Sequence, residues 1–376
     1  MANDVFRTEL CELLGIEYPI VQSGMGGVAG PEMVAEVSRA GGLGVLAGLN
    51  VPPDDLRRMI RRVRELTDRP FGVNLWLHPA LRPPIDPRSV PDDVVAGAQG
   101  QLNRFREPLG LPPTVDRPPA APDFLGAAIE VVIDERIPVF STALVGEHDA
   151  AMIRRCHERG VTVMTMVATV DDARAATSAG VDVIVAQGGE AGGHRSIGDK
   201  PVTPDAQSIS TMAIVPVIVD AVRVPVVAAG GIADGRGLVA ALALGASGIL
   251  LGTRFVATRE SMAAEYWKKR LLESDATATT LTDVFSGLWA RGLRNRFSEE
   301  YRASGAPVLP PLVQRSAAND IYAQAAKQQD GEFSPMWAGQ SIGLIHDLPG
   351  AGDVVHAIVR EARQVLRALD TRVRLA

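Results

Sequence analysis

Short apolar runs alternate with longer amphipathic stretches along most of this chain. Val183 to Ala186, Val226 to Ala229 and Ile249 to Leu251 are apolar without interruption, the composition of strands buried on both faces. Pro19 to Gln22, Leu43 to Leu46, Phe71 to Asn74, Val139 to Ser141 and Val161 to Met166 supply five more strand candidates. Between them, Pro31 to Ala40, Pro53 to Leu66, Phe124 to Arg136, His148 to Arg159, Val170 to Ala179, Asp205 to Val222 and Gly235 to Leu244 read as helices, with Pro31 suited to a first helical position. Eight strand–helix units predict the α/β class and a closed (β/α)8 TIM barrel, with a doubly wound sheet as the alternative. In a barrel the chemistry sits at the carboxyl ends of the strands.

Two stretches depart from that rhythm. Residues 78–122 hold eleven of the 26 prolines, too many for a strand or a long helix, although Val94 to Arg106 can form one helix inside the segment. This is an insertion after the third strand, either a lid or wall over the site or a surface excursion without a role. Beyond Thr258 the segments are mostly helical, and Val355, Ile358, Val359, Ala362, Leu366 and Leu369 mark a final amphipathic helix. The expected organisation is a barrel over residues 1–258, interrupted by 78–122, and a helical region over 259–376 packing on the barrel mouth. Gln340, between glycines in MWAGQSIGL, belongs to a loop that either returns to the mouth or makes an ordinary turn.

Composition removes several function classes. The 376 residues carry a net charge of −6 and a pI near 5.6, so no basic surface offers itself to nucleic acid or an acidic membrane. No run of about 18 apolar residues marks a membrane span, and the amino terminus lacks the apolar core of a signal peptide. Cys11 and Cys156 form neither a disulfide framework nor a metal-ligand pattern, which fits a reducing cytoplasm and no metal. The oligomeric state is left open, and a homodimer is compatible with it.

The candidate chemistry lies in the glycine-rich strand ends. VDVIVAQGGEAGGH runs from strand into Gly188, Gly189, Gly192 and Gly193, then reaches His194, an acid–base group. Such a loop can lie against a flat cofactor, but it can also be a plain turn followed by a satisfied histidine. Gly230 and Gly231 follow the seventh strand, and Gly252 and Thr253 follow the eighth, where barrels commonly bind phosphate through backbone N–H groups. Gly24, Gly26 and Ala29 match G-x-G-x-x-A, yet no carboxylate stands at the end of the second strand to hold a ribose, so a dinucleotide fold is not favoured.

QSGMGG at Gln22 to Gly27, FGVNL at Phe71 to Leu75, QGGEAGGH at Gln187 to His194, AAGGIADGRG at Ala228 to Gly237, LGTRFVATRES at Leu251 to Ser261 and FSGLWARGLRNRF beyond the barrel together resemble the nitronate monooxygenase family, formerly 2-nitropropane dioxygenases. The resemblance implies a TIM barrel holding FMN without a covalent link. Its phosphate would meet Gly230, Gly231, Gly252 and Thr253. Asn74 and Gln187 would contact the ring or ribityl chain, Met25 would flank the flavin, and His194 would face the substrate. Gly24, Gly192, Gly193 and Gln340 complete the candidate cofactor set. Ser23 and Gly24 stand where that family more often has alanine and proline, and a glycine there is similar to the flavin-dependent enoyl-thioester reductases, which share an E-x-G-G-H string.

The implied reaction is oxidation of an alkyl nitronate by O2 to a carbonyl compound and nitrite. Protonated His194 would hold the anion, or neutral His194 would take an α-proton from a nitroalkane. The alternative reaction passes hydride from NADH through the flavin to an enoyl thioester. A flavin-binding barrel without catalysis is the third reading, and His194 argues against it.

Overall fold

The computed structural model describes residues 6–197 and 208–372, with side chains to 369. The strands are β1 (Ile20–Gln22), β2 (Gly44–Ala47), β3 (Phe71–Trp76), β4 (Val139–Ala143), β5 (Thr162–Val167), β6 (Val183–Gln187), β7 (Gly193–His194), β8 (Val226–Ala229), β9 (Gly248–Leu251), β10 (Thr279–Thr282) and β11 (Ala290–Leu293). Eight of them form one parallel sheet in the order β1-β9-β8-β6-β5-β4-β3-β2. The two ends of that order meet. Gln22 N–H donates to Leu43 O and Leu43 N–H donates to Ile20 O, each at 2.9 Å. The buried Gln22 side chain reinforces the seam, accepting from Val45 N at 3.0 Å and donating to Val45 O at 3.3 Å. The fold is therefore a TIM barrel.

Alternate strand residues fill two layers. Val21, Val45, Val139, Met164, Val183, Val185, Val227 and Leu250 form the inner cluster. Leu46, Val73, Phe140, Val163, Ile184, Ala228 and Ile249 face the outer helices. The inner cluster also contains Leu10, Cys11 and Leu14 of the helix Glu9–Leu14, so that helix closes the amino ends of the strands. Only the carboxyl ends remain for chemistry. The expected helices are present with shifted ends. The one expected from Asp205 begins, among the described residues, at Thr211, capped by Ser210 Oγ on Ala213 N, while its expected first turn and the linker beyond Ile197 lie outside the described residues.

The proline-rich insertion contains the helix Asp92–Arg106 and joins a second apolar core with the region after the barrel. Val95, Leu102 and Phe105 pack there with Phe285, Phe297, Tyr301, Ile321 and Phe333. Arg106 is 2% exposed, and its guanidinium donates to Asp320 Oδ2 at 2.7 Å, Ala317 O at 2.8 Å and Gln99 Oε1 at 2.9 Å. The region after the barrel is not all helix. β10 and β11 pair antiparallel, and β11 pairs with β7 through Ala290 opposite His194 and Arg291 opposite Gly193. This small sheet brings the carboxyl-terminal region to the barrel mouth.

Arg106→Met removes those donors and strands the buried acceptors on Gln99 and Ala317, so the urea midpoint should fall by the equivalent of about 1–3 kcal/mol. An unchanged midpoint would mean that the guanidinium contributes nothing to holding insertion and carboxyl-terminal helices together.

Candidate active site

The carboxyl ends of the strands open into a cavity of about 300 Å³. Gly24 and Met25 line it after β1, Asn74 and Trp76 on β3, Gln187 on β6, Gly192, Gly193 and His194 beyond it, Gly230 and Gly231 after β8, and Gly252 and Thr253 after β9. Ser286, Leu312, Arg315, Trp337, Gly339 and Ser341 line it from the carboxyl-terminal region. Gln340 differs from the expectation. Its side chain is exposed and its backbone N–H donates to Glu190 O at 2.9 Å, because the turn that brings Gly339 and Ser341 to the wall directs the residue between them outward.

The 187–196 loop is held by groups that face inward. Gln187 is buried, donating through Nε2 to His194 O at 2.9 Å and accepting at Oε1 from Ser196 N at 2.8 Å. One N–H and one lone pair of its amide are thus committed to the loop. Arg195 donates to Gly188 O at 2.6 Å and Gln187 O at 3.1 Å. Burial pushes its guanidinium down to about 10, with nearby Arg291 adding to the effect and Glu190 opposing it. Arg291 Nε donates to Gly189 O at 3.0 Å. Glu190 accepts from Thr211 N and Oγ1, each at 2.9 Å, which ties the loop to the start of the helix Thr211–Ala221.

His194 stands between two indoles, with ring centroids 4.5 Å from Trp76 and 4.9 Å from Trp337, both edge-on. Its Nε2 lies 2.8 Å from Ser286 Oγ. Removal from water lowers its pKa from 6.5 to about 3, and the charges of Arg315 and His78 push the same way. The ring is a neutral imidazole at physiological pH. Of the two roles expected for His194, these surroundings disfavour the cationic one.

The glycines divide into two kinds. A Cβ on Gly24 would lie 2.4 Å from Asn74 Cβ, and one on Gly192 2.5 Å from Gly339 N, so these are glycines because other parts of the chain press on them. Gly252 has φ −107° and an added Cβ would meet only Met25 Sδ at 3.5 Å and Ser23 Cβ at 4.0 Å. Neither backbone conformation nor packing calls for glycine at Gly252; an open cavity wall does. Gly230 and Gly231 have φ of +108° and +70°, and among the described residues their N–H groups meet no protein acceptor. Thr253 Oγ1 accepts from Gly339 N at 2.9 Å, which leaves its hydrogen available to a ligand. Free donors beside an unfilled wall are what a phosphate needs.

The family model for nitronate monooxygenase matches residues 7–361. The chain belongs to the nitronate monooxygenase family. Membership makes it an enzyme of the oxidoreductase class. A probable nitronate monooxygenase of Staphylococcus saprophyticus is 34% identical over 359 residues, covering 96% of this chain and 98% of the relative. One from Staphylococcus haemolyticus is 38% identical over 336 residues, covering 89% and 92%. Among solved structures, nitroalkane oxidase from Streptomyces ansochromogenes superposes with a TM-score of 0.85 at 33% identity, covering 96% of this chain and 99% of that one. FabK from Thermotoga maritima follows the same fold with a TM-score of 0.76 at 30% identity, covering 98% and 99%.

Within this family member, Trp76, Ser286, Leu312, Arg315 and the Arg195 clamp were not singled out as site residues from the sequence. Trp76 had a signal, since it directly extends the FGVNL strand. Ser286 lies in the FSGLWARGLRNRF stretch, and Arg315 had no signal, because a barrel pattern says nothing about how a later region folds over its mouth.

Two outcomes follow from the ring and the glycines. A histidine that folding makes harder to protonate contributes stability that is complete above pH 6.5 and is lost as the pH falls toward about 3. The acid limb of the unfolding midpoint should therefore flatten in His194→Asn; an unaltered limb would mean that the native ring titrates normally. Gly24→Ala should cost about 1–3 kcal/mol by overpacking against Asn74, while Gly252→Ala should stay within about 0.5 kcal/mol. Urea unfolding of both, stripped of ligand, checks this; equal losses would erase the distinction between the two glycines.

Proposed function

We propose that this enzyme binds FMN in the cavity and oxidises alkyl nitronates with O2 to carbonyl compounds and nitrite. The observation that carries the reading is a neutral, ring-packed imidazole in the same cavity as phosphate-ready strand ends, in a chain of this family. Gly230, Gly231, Gly252 and Thr253 would hold the phosphate. Met25 and Asn74 would border the flavin, with Asn74 Nδ2 already fixed by Ser141 O at 3.2 Å and Ser141 Oγ at 3.1 Å. A single phosphate-ready cluster favours the mononucleotide over FAD. Bound FMN supplies the electron acceptor and the reaction with O2.

The protein supplies position and one base. With the proton on Nε2, His194 donates to Ser286 Oγ, which in turn donates to Leu288 O at 3.3 Å. Nδ1 is then the free lone pair. A neutral nitroalkane loses its α-proton to that atom, and the Ser286 hydroxyl steadies the imidazolium that forms. A nitronate is already deprotonated and skips the step. Trp76 and Trp337 flank the ring edge-on and border the space where an alkyl chain would lie.

The second reading, reduction of an enoyl thioester by NADH, is favoured by the superposition on FabK and by Ser23 and Gly24. It requires a second phosphate site for the nicotinamide. Arg82, Arg88, Arg104, Arg291, Arg294 and Arg296, in the insertion or after the barrel, do not line the cavity, whereas Arg315 does. Arg88 pairs with Asp86, Arg296 with Glu300, and Arg291 is spent on the 187–196 loop. The monooxygenase reading is supported instead by the family match and by the closer superposition on nitroalkane oxidase, with a TM-score of 0.85 against 0.76 for FabK.

His194→Asn tests the assignment. FMN content should be retained, and turnover of a neutral nitroalkane should fall by about 10²- to 10⁴-fold, the range of general-base assistance, with a smaller loss on the matching nitronate. Full activity on both forms would remove His194 from the reaction.

A further inference from the structure

A nitronate is an anion, and the imidazole that faces it carries no charge. Among the described residues lining the cavity, the one guanidinium or ammonium side chain is that of Arg315. It sits on the short helix Val313–Ala317, where the wall of the cavity passes into a second groove of about 700 Å³. The two spaces share Asn50, Leu312 and Arg315, so Arg315 stands at their junction. Its side chain is exposed, and among the described residues it takes part in no ion pair. Of the carboxylates lining the two spaces, Asp320 holds Arg106 and Glu190 accepts from Thr211, while Asp116 in the groove forms no ion pair with Arg315 among the described residues.

The placement of this cation is specified by the catalytic pair. Leu312 adopts φ +65°, a left-handed conformation that costs a branched residue about 1 kcal/mol or more. Its N–H donates to Ser286 O at 2.7 Å, and the Ser286 hydroxyl is the partner of His194. One residue thus fixes both the base and the turn that presents Arg315. An unpaired cation kept at the opening of a largely apolar cavity attracts anions and raises their rate of entry.

We propose that Arg315 is the anion receptor of the site, a specificity-determining residue that draws the nitronate oxyanion in through the groove and favours it over the neutral nitroalkane. The inference rests on the reading of the cavity as a nitronate-oxidising site. A planar nitro-type oxyanion matches the fork of a guanidinium, which donates two parallel hydrogen bonds to such a group.

The test compares the FMN-loaded parent with Arg315→Gln and Arg315→Lys, with flavin content measured in each. With an alkyl nitronate, Arg315→Gln should lower kcat/KM by about tenfold or more, mainly through KM, and should abolish its decline with rising salt. The neutral nitroalkane should lose distinctly less, and Arg315→Lys should recover part of the nitronate rate. Equal losses on both forms, an unchanged nitronate KM, or a salt dependence that survives in Arg315→Gln would overturn the proposal. Calorimetric titration with nitrate, a planar oxyanion that does not react, separates this from the functional reading. Weaker nitrate binding in Arg315→Gln than in the parent supports the receptor even if nitronates are not turned over, and identical nitrate binding refutes it even if they are.

Discussion

A guanidinium removed from water must find acceptors, and Arg195 finds them in the carbonyls of Gln187 and Gly188. That requirement shapes the whole mouth of the barrel. A glycine-rich loop has little side-chain packing of its own, so its path is dictated by what its carbonyls and N–H groups meet. Arg195 and Arg291 take the carbonyls at its start, and the Gln187 amide closes it from His194 O to Ser196 N. Once so closed, the loop can hold His194 against Trp76 and Trp337, where the ring is harder to protonate. A neutral base at this position is a consequence of how the loop is anchored.

The region after the barrel is a co-builder of the site. β11 pairs with β7 beside His194, Ser286 bonds the imidazole, Gly339 donates to Thr253, and Gln340 N–H ties the returning turn to Glu190. Gly192 and Gly339 approach so closely that neither tolerates a Cβ. The insertion takes part at one remove, through the apolar core that it shares with these segments and through the buried Arg106.

The barrel was legible in the sequence because strands such as Val183–Gln187 and Val226–Ala229 are short apolar runs that break at a polar residue or glycine and alternate with amphipathic helices. The helix Pro53–Leu66 agrees at both ends, since proline opens it. β10, read as TTLT, was not legible: a polar run becomes a strand only because β11 lies against it. The glycine positions were visible but their reasons were not. Gly24 and Gly192 yield to neighbouring chain, whereas Gly252 faces open space, and a sequence shows only the missing Cβ. Gln187 was expected to touch the flavin; it lines the cavity, and one N–H and one lone pair of its amide also hold its own loop, which the sequence did not show. His194 was expected to carry a proton or accept one, and the burial that disfavours the charged form is not visible in the sequence.

Nitronate oxidation and enoyl-thioester reduction place the same cofactor in the same barrel and differ in what delivers electrons to it. Anaerobic rapid mixing of the FMN-loaded protein with an alkyl nitronate, and separately with NADH, measures that difference directly. The account predicts that the nitronate bleaches the flavin absorbance while NADH leaves it intact over the same interval. Fast bleaching by NADH, reversed by an enoyl thioester, with no response to the nitronate, would contradict it.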